Sequence, residues 1–399
     1  MILTGIDQIN SISLKLKDKN IGIITNNMAR NYELVSSLDI IKSLNKAKSL
    51  TLLSPEHGYY GDFQAGMPVE SYFDKNLDVY VESLYKNPGN TFDNNDIDNS
   101  MREIDSKNDK SKHPDESIME NLDIVIYDLQ DVGCRIYTYL ATMRYSMAAL
   151  NDKSTEFIVL DRPNPITGLN PEGPILDGEL KSFIGTMPLP MRHSLTIGEA
   201  ALFFNKYINN ERTNLSIVKI KNWRRGLWHD ETGQPWIMPS PNMPYLDTAI
   251  VYPGSVLMEG TNLSEGRGTT RPFQIIGAPW IDGMKLSRKI NELSIPGVKV
   301  IDVRFTPYFS KYSGMKCSGI YININDRNIF RPFRFALEII SEIIDMYNDF
   351  QFYDSYFDKA SGNKTIRSML LNGYSGSDII EKFDLEKFNS AADEIKIYN

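Results

Sequence analysis

Short apolar runs and helical periodicities alternate through the first half of the chain. Ile21–Thr25, Leu50–Leu53, Val79–Val81, Leu122–Tyr127 and Phe157–Leu160 are brief, apolar and rich in β-branched residues. Continuous apolar runs of this length predict strands buried on both faces, the kind that build parallel sheets. Between the last two runs, Ile136, Tyr139, Leu140, Met143, Met147 and Leu150 recur at three- and four-residue spacing. That spacing is one apolar face of a helix. Strand, helix, strand predicts a βαβ unit and an α/β, doubly wound, mainly parallel sheet. Thr196 followed by Glu199 is a capping-box pattern and predicts a helix reaching about Tyr207. Leu215–Ile220 predicts a further strand.

The pattern changes after about residue 222. Residues 223–280 carry many Trp, Pro and Gly and little helical periodicity. Strands are predicted at Val298–Phe305 and Gly319–Ile324, a helix at Pro332–Tyr347, and short helices over the last stretch. The reading is two domains, residues 1–225 and an α+β unit of residues 226–399. The segment Asp93–Ile118 is dominated by Asp, Asn, Ser and Lys. It has too little apolar surface to order itself and predicts a surface loop, with a short helix around Ile97, Met101 and Ile104.

Composition narrows the function classes. The chain has 399 residues, 41% hydrophobic and 24% charged, an ordinary globular balance. A net charge of −8 and a pI near 5.3 argue against a nucleic-acid groove, which needs a basic face. One or two local arginines could still hold a small anion. Cys134 and Cys317 lie beside apolar runs and read as small buried hydrophobes rather than a disulfide framework. No stretch approaches the roughly 20 apolar residues that span a bilayer. The N-terminus from Met1 to Asp7 has no charged region followed by a long apolar one, so a cytoplasmic protein with no membrane partner is expected. Oligomeric state is not legible.

Candidate chemistry gathers at predicted strand ends, where open α/β sheets bind ligands. Ile21–Ile24 runs into Thr25-Asn26-Asn27, and Leu50–Leu53 into Ser54-Pro55-Glu56-His57-Gly58. Leu122–Leu129 runs into Gln130-Asp131-Val132-Gly133-Cys134-Arg135, and Phe157–Leu160 into Asp161-Arg162-Pro163-Asn164-Pro165. In a parallel sheet all four clusters share one edge. None has the spacing of a dinucleotide loop or a Walker A motif, so no nicotinamide, flavin or other cofactor is expected. Glu56 reads either as a solvated loop residue or as a carboxylate shielded enough to serve as a general acid. Asp131 reads as a helix cap or a ligand contact, and Asn164 as a turn residue or a ligand contact. Arg135, placed against the helix dipole, pairs either with an anionic ligand or with Asp131. A second dense polar stretch spans residues 257–273, with Glu259, Asn262, Glu265, Arg267 and Arg271 interleaved with three glycines. It reads as a structural turn with ion pairs or as a ligand loop with Arg forks suited to a carboxylate. The histidines are 57, 113, 193 and 229, with no metal-binding spacing among them, so no metal is expected.

At these motifs the sequence closely resembles the NamZ-type exo-β-N-acetylmuramidases, glycoside hydrolase family 171. The matching stretches are SPEHGYYGDFQAG (54–66), DLQDVGCRIYTYLATM (128–143), LDRPNPITG (160–168), PEGP (171–174), PLPMRHSLTIGE (188–199), WIMPSPNMPYLDTAIVYPG (236–254), EGTNLSEGRGTTRPF (259–273), GAPWID (277–282) and FTPYFSKYSG (305–314). The resemblance runs from Gly5 to the C-terminus. It implies a Rossmann-like first domain, a smaller α+β second domain and an active site in the cleft between them. It implies hydrolysis of the β-1,4 bond of a non-reducing-end N-acetylmuramic acid in peptidoglycan fragments, with MurNAc-GlcNAc saccharides, peptide-bearing or peptide-free, as substrates. The family's glutamate in Ser-Pro-Glu-His-Gly falls on Glu56, which makes it the expected general acid. Family members commonly carry a secretion signal, whereas the matching core here begins at residue 5, which favours a recycling role in the cytosol. The Asp93–Ile118 loop is also longer than the family's usual connection.

Glycoside hydrolysis normally needs a second carboxylate or the substrate's own acetamido group. Glu265 is the first candidate, ahead of Asp131 and Glu259. Arg135, Arg267 and Arg271 are candidates for the lactyl carboxylate of muramic acid. His57, Asn26, Tyr137, Asn164 and Asn262 are candidates for sugar contacts. Two other classes stay open: a non-catalytic amino-sugar binding protein, and a metal-assisted hydrolase using His57, Asp62 and His193.

Overall fold

The computed structural model describes residues 1–85 and 114–399. Among the described residues seven strands form the larger sheet: β1 (Asn20–Thr25), β2 (Ser49–Ser54), β3 (Tyr72–Asp74), β4 (Val79–Ser83), β5 (Ile124–Asp128), β6 (Glu156–Leu160) and β7 (Leu215–Val218). Their order is β3-β4-β2-β1-β5-β6-β7. Every pair is parallel except β3 with β4. Successive residues of a strand face opposite sides, and both sides here are apolar. Ile24, Val125, Tyr127, Phe157 and Val159 enter one layer, while Ile23, Leu52, Ile124, Ile126 and Ile158 enter the other. That double burial is why the strands read as continuous apolar runs.

Helices α1 (Ser37–Ser43), α2 (Glu116–Glu120), α3 (Tyr139–Ala149) and α4 (Ile197–Tyr207) belong to this half. Thr196 and Glu199 make both bonds of the capping box that opens α4. Helix α3 starts at Tyr139, later than the Ile136 periodicity predicts. Gly133 turns the chain at φ 79° and Cys134 pairs with Arg192. Residues 134–138 therefore form a separate turn before the helix. The expected helix near Ile97–Ile104, and all but the last five residues of the Asp93–Ile118 loop, lie outside the described residues.

The smaller sheet is antiparallel, with β8 (Ile275–Ala278), β9 (Val298–Phe305) and β10 (Cys317–Ile324) in the order β8-β10-β9. Against it packs α6 (Gly283–Glu292), and α5 (Leu246–Ser255), α7 (Pro332–Met346), α8 (Asp354–Ser361), α9 (Ile366–Leu371) and α10 (Gly376–Ile380) form a helical group beside it, followed by α11 (Glu386–Ile395). Helix α5 and strand β8 occupy a region read as non-helical loop. The reason is burial: every residue of α5 from Thr248 to Ser255 is buried, so no polar face gives it a period. It also contains Pro253, a helix breaker by propensity. A Cβ on Gly254 would sit 1.9 Å from the Pro332 carbonyl oxygen, so α5 meets the start of α7 at a distance only glycine permits.

One apolar layer runs from the larger sheet through α5 into the smaller sheet and its helices. The C-terminus also returns to the first half. Helix α11 packs on α4, the Tyr398 hydroxyl donates to Asp161 at 2.6 Å, and Arg225 N–H donates to the Asn399 carbonyl at 2.9 Å. Cys134 and Cys317 are both free and buried. Among the described residues no helix is long and apolar enough to cross a membrane.

Candidate active site

The four polar clusters stand at the carboxyl ends of β2, β1, β5 and β6, which are adjacent and parallel. The cluster after β2 turns sharply. His57, Gly58 and Gly61 all have positive φ, at 74°, 75° and 71°. Gly58 has further cause, since a Cβ there would lie 3.0 Å from Phe63. The His57 ring is pinned by its Nδ1, 2.7 Å from the Phe63 carbonyl. A carbonyl cannot donate, so Nδ1 carries the proton and Nε2 is left as acceptor.

This turn puts Glu56, 4% exposed, on the wall of a cleft. Gly66 N–H donates to its Oε1 at 2.8 Å and the Thr138 hydroxyl donates to its Oε2. Thr138 arrives there because the 134–138 turn precedes α3. Among the described residues no cation contacts the Glu56 carboxylate.

Asn26, at the end of β1, braces the same wall. Its side-chain oxygen accepts from the Met28 and Ala29 amides, and its Nδ2 donates to the Tyr139 hydroxyl at 2.9 Å. Tyr139 in turn donates to the Pro239 carbonyl at 2.7 Å, anchoring the segment that supplies Ser240, Asn242 and Met243 to the cleft. Burial and the negative charge of Glu56 hold the Tyr139 proton well above the usual phenol range. Asn242 closes the ring by donating to Gln64 at 2.9 Å.

The opposite wall comes from the second half: Tyr252 of α5, Glu259, Arg267, Phe273 and Tyr356 of α8. Arg267 Nη2 donates to Glu259 Oε1 at 2.6 Å, and the Tyr356 hydroxyl donates to Glu259 Oε2 at 2.7 Å. Behind them lies Glu265, 2% exposed, with Lys311 Nζ at 3.2 Å and Arg267 Nε at 3.4 Å. Burial opposes charge on Arg267, but Glu259 and Glu265 outweigh it and raise its pKa above the ordinary arginine value. The guanidinium also lies 5.0 Å over the Phe273 ring. The cleft between the walls encloses about 620 Å³ counted to its open mouth.

Of the residues singled out by sequence, Glu56, His57, Tyr137, Glu259 and Arg267 line this cleft. The others do not. Glu265 stands behind the wall. Asp131 accepts from Gly133 N–H at 2.7 Å and faces His193 Nε2 at 3.3 Å. The Leu195 amide donates to His193 Nδ1, so Nε2 carries the proton toward Asp131. Arg135 does not pair with Asp131. It donates to the carbonyls of Pro174, Leu189 and Ala360 at 2.9–3.0 Å. Asn164 bonds the Leu195 carbonyl and the Ile166 amide, and Asn262 bonds the Asp349 carbonyl and the Gln351 amide. Arg271 stacks on Tyr245 at 4.6 Å. Among the described residues no group of three His, Cys, Asp or Glu could hold a metal, so His57, Asp62 and His193 form no such site.

Sequence reasoning missed Thr138, Tyr252, Phe273, Lys311 and Tyr356. The first four fall inside matching motifs, but nothing in their spacing marks them. Tyr356 lies outside every motif and is brought in by tertiary packing alone.

The two halves each match a family model. Residues 21–247 match the N-terminal model, and residues 250–398 the C-terminal model, of the exo-beta-N-acetylmuramidase NamZ. The chain belongs to the NamZ family. It is 41% identical over 402 residues to the peptidoglycan beta-N-acetylmuramidase NamZ of Bacillus subtilis strain 168, covering 100% of this chain and 91% of that protein. Two crystal structures of DUF1343 family proteins from Bacteroides fragilis share the NamZ-like architecture. One has a TM-score of 0.86 at 30% identity, the other 0.77 at 27%, each covering 100% of this chain and 99% of the other.

Proposed function

We propose that the protein is an exo-acting β-N-acetylmuramidase with Glu56 as its general acid. It hydrolyses the β-1,4 bond between a non-reducing-end N-acetylmuramic acid and the next sugar of a peptidoglycan fragment. One observation carries the residue assignment. Glu56 is a buried carboxylate on the cleft wall, held by two neutral donors and touched by no cation among the described residues. The 41% identity to a named peptidoglycan beta-N-acetylmuramidase supports the substrate class.

The donors suit a group that changes its proton count. A hydroxyl can accept from the acid and donate to the carboxylate by rotating, so Thr138 serves both states. Gly66 N–H stays on the other oxygen and stabilises the carboxylate left once the proton has moved to the leaving oxygen. Tyr137 and His57 line the sugar's path. The proposed site is a cleft between a unit of residues 1–225 and one of residues 226–399.

The lactyl carboxylate of muramic acid calls for a cation. The guanidinium nitrogens of Arg135 meet three carbonyls, and Arg267 is balanced by two glutamates. Arg271 is the candidate whose guanidinium has no hydrogen bond or ion pair among the described residues, and it is steadied by Tyr245. Along the chain it lies between Arg267 and Phe273, which both line the cleft, while its own side chain stands outside that lining. We assign the lactyl group to it.

The deciding experiment is release of N-acetylmuramic acid from a defined MurNAc-GlcNAc disaccharide, wild type against Glu56→Gln. The wild type releases the sugar and the folded variant does not. Near-normal turnover by a folded Glu56→Gln protein sinks the assignment.

A further inference from the structure

We infer that Glu259, rather than Glu265 or Asp131, is the second carboxylate of the reaction, acting as the base that takes a proton from the attacking water. This rests on the reading of Glu56 as the general acid. Of the three candidate partners, Glu259 alone lines the cleft. It does so from the wall opposite Glu56, within a segment that the second half of the chain supplies. Tyr252 shares the wall of Glu259, and its hydroxyl feels the charge of both glutamates.

The partners of Glu259 fit a base. Arg267 holds one oxygen and the Tyr356 hydroxyl the other, at 2.6 and 2.7 Å. Arg267 places an opposite charge against the Glu259 carboxylate in the buried wall. Tyr356 is buried, and burial together with the Glu259 charge keeps its proton in place. It therefore donates and does not compete for negative charge. Each carboxylate oxygen has two lone pairs, so one on each remains open for water.

Glu265 and Lys311 serve this arrangement from behind. Lys311 donates to the carbonyls of Met258 and Leu263 at 2.8 and 2.9 Å, on either side of Glu259, and to Glu265 at 3.2 Å. It pins the backbone that carries Glu259, while Glu265 balances Lys311 and Arg267. Both are positioning residues.

The step balances as follows. Glu56 gives its proton to the bridging oxygen, which leaves C1 with the electron pair of the broken bond. Water oxygen bonds to C1, and the proton it sheds passes to Glu259. Exchange with solvent returns a proton to Glu56 and takes the one from Glu259. One water is consumed and two free sugars result.

The test uses the full chain and two substrates, the disaccharide and a 2,4-dinitrophenyl β-N-acetylmuramide whose leaving group needs no proton. Glu56→Gln should fall on the disaccharide and recover most of its turnover on the dinitrophenyl substrate. Glu259→Gln should stay at least ~10²-fold down on both. Sodium azide should speed Glu259→Ala but not Glu56→Gln, because azide replaces the activated water. Glu265→Gln should fall less than Glu259→Gln on both substrates. Calorimetry of the disaccharide should give Glu259→Gln a Kd within a few-fold of that of Glu56→Gln. An active wild type with Glu259→Gln above a tenth of its turnover overturns the Glu259 assignment alone. So does loss of binding in Glu259→Gln, which would make the residue a substrate clamp. A wild type that frees no muramic acid from either substrate overturns the functional reading as well.

Discussion

The two walls of the cleft carry their negative charge in opposite ways. On the first, Glu56 meets a backbone amide and a hydroxyl. On the second, Glu259 and Glu265 alternate with Arg267 and Lys311 in a buried network of four charges. Protonating Glu56 orphans nothing. Glu259 shares Arg267 with Glu265, so a proton taken up by Glu259 still leaves the guanidinium beside a carboxylate. The fold thus separates a carboxylate met by neutral donors from one met by a guanidinium, and the proposed roles of acid and base rest on that contrast. The difference has a local origin. The first wall is built from strand ends, where turns leave amides unpaired, and the second from a glycine-rich loop that folds its own ion pairs together.

The sharpest way to break this comparison is to remove the proton from the first wall. Glu56→Gln keeps the shape and the Gly66 contact but cannot act as an acid. Its kcat on the disaccharide should fall by ~10³-fold, within the range expected for general acid catalysis, with an unchanged thermal midpoint. The second wall should respond in stability instead. Lys311→Met leaves Glu265 with Arg267 alone and removes a donor from the carbonyls of Met258, Glu259 and Leu263. Breaking a buried pair from one side costs about 3–5 kcal/mol, readable as a shift of the urea midpoint. A Lys311→Met protein as stable as wild type would show that the network is not an energetic unit.

Much of the first wall was legible in the chain, because parallel strands announce themselves by continuous apolar runs and their carboxyl ends share an edge. Glu56 and His57 followed from position, and family resemblance added the role. The polar residues beside them were harder to read. Asp131, Arg135 and Asn164 have the composition of ligand residues but are consumed by amides and carbonyls of neighbouring turns. Sequence shows donors and acceptors without showing which backbone groups will be left bare. In the second half, α5 gave no period because it is buried all round. Glu259 and Glu265 could not be ranked, since a loop has no fixed period to say which one faces outward. Tyr356 was out of reach, brought to Glu259 by the packing of α8 rather than by any local pattern.

Two smaller effects sharpen the contrast between binding and proton transfer. Arg271→Ala removes the cation assigned to the lactyl carboxylate. One charge-assisted contact contributes roughly 1.5–3 kcal/mol, so KM for the disaccharide should rise by ~10- to 100-fold while kcat stays within about twofold. A matching chitobiose-type substrate, which lacks the lactyl group, should lose its difference between wild type and variant. Equal effects on kcat and KM would mean that Arg271 shapes the cleft instead of reading the sugar.

Thr138 tests the neutral character of the first wall most finely. Its hydroxyl is one of two donors on Glu56, and it reaches there because Gly133 delays the start of α3. Thr138→Val keeps the shape and removes the donor, which should lower kcat by ~10-fold, about the worth of one hydrogen bond to a charged group. Thr138→Ser restores the hydroxyl with less bulk and should recover most of that loss. The pair separates two roles. If Val and Ser behave alike, Thr138 only fills space beside Glu56. If Ser recovers and Val does not, the rotating hydroxyl is what lets a buried carboxylate pass between its two protonation states without a cation nearby.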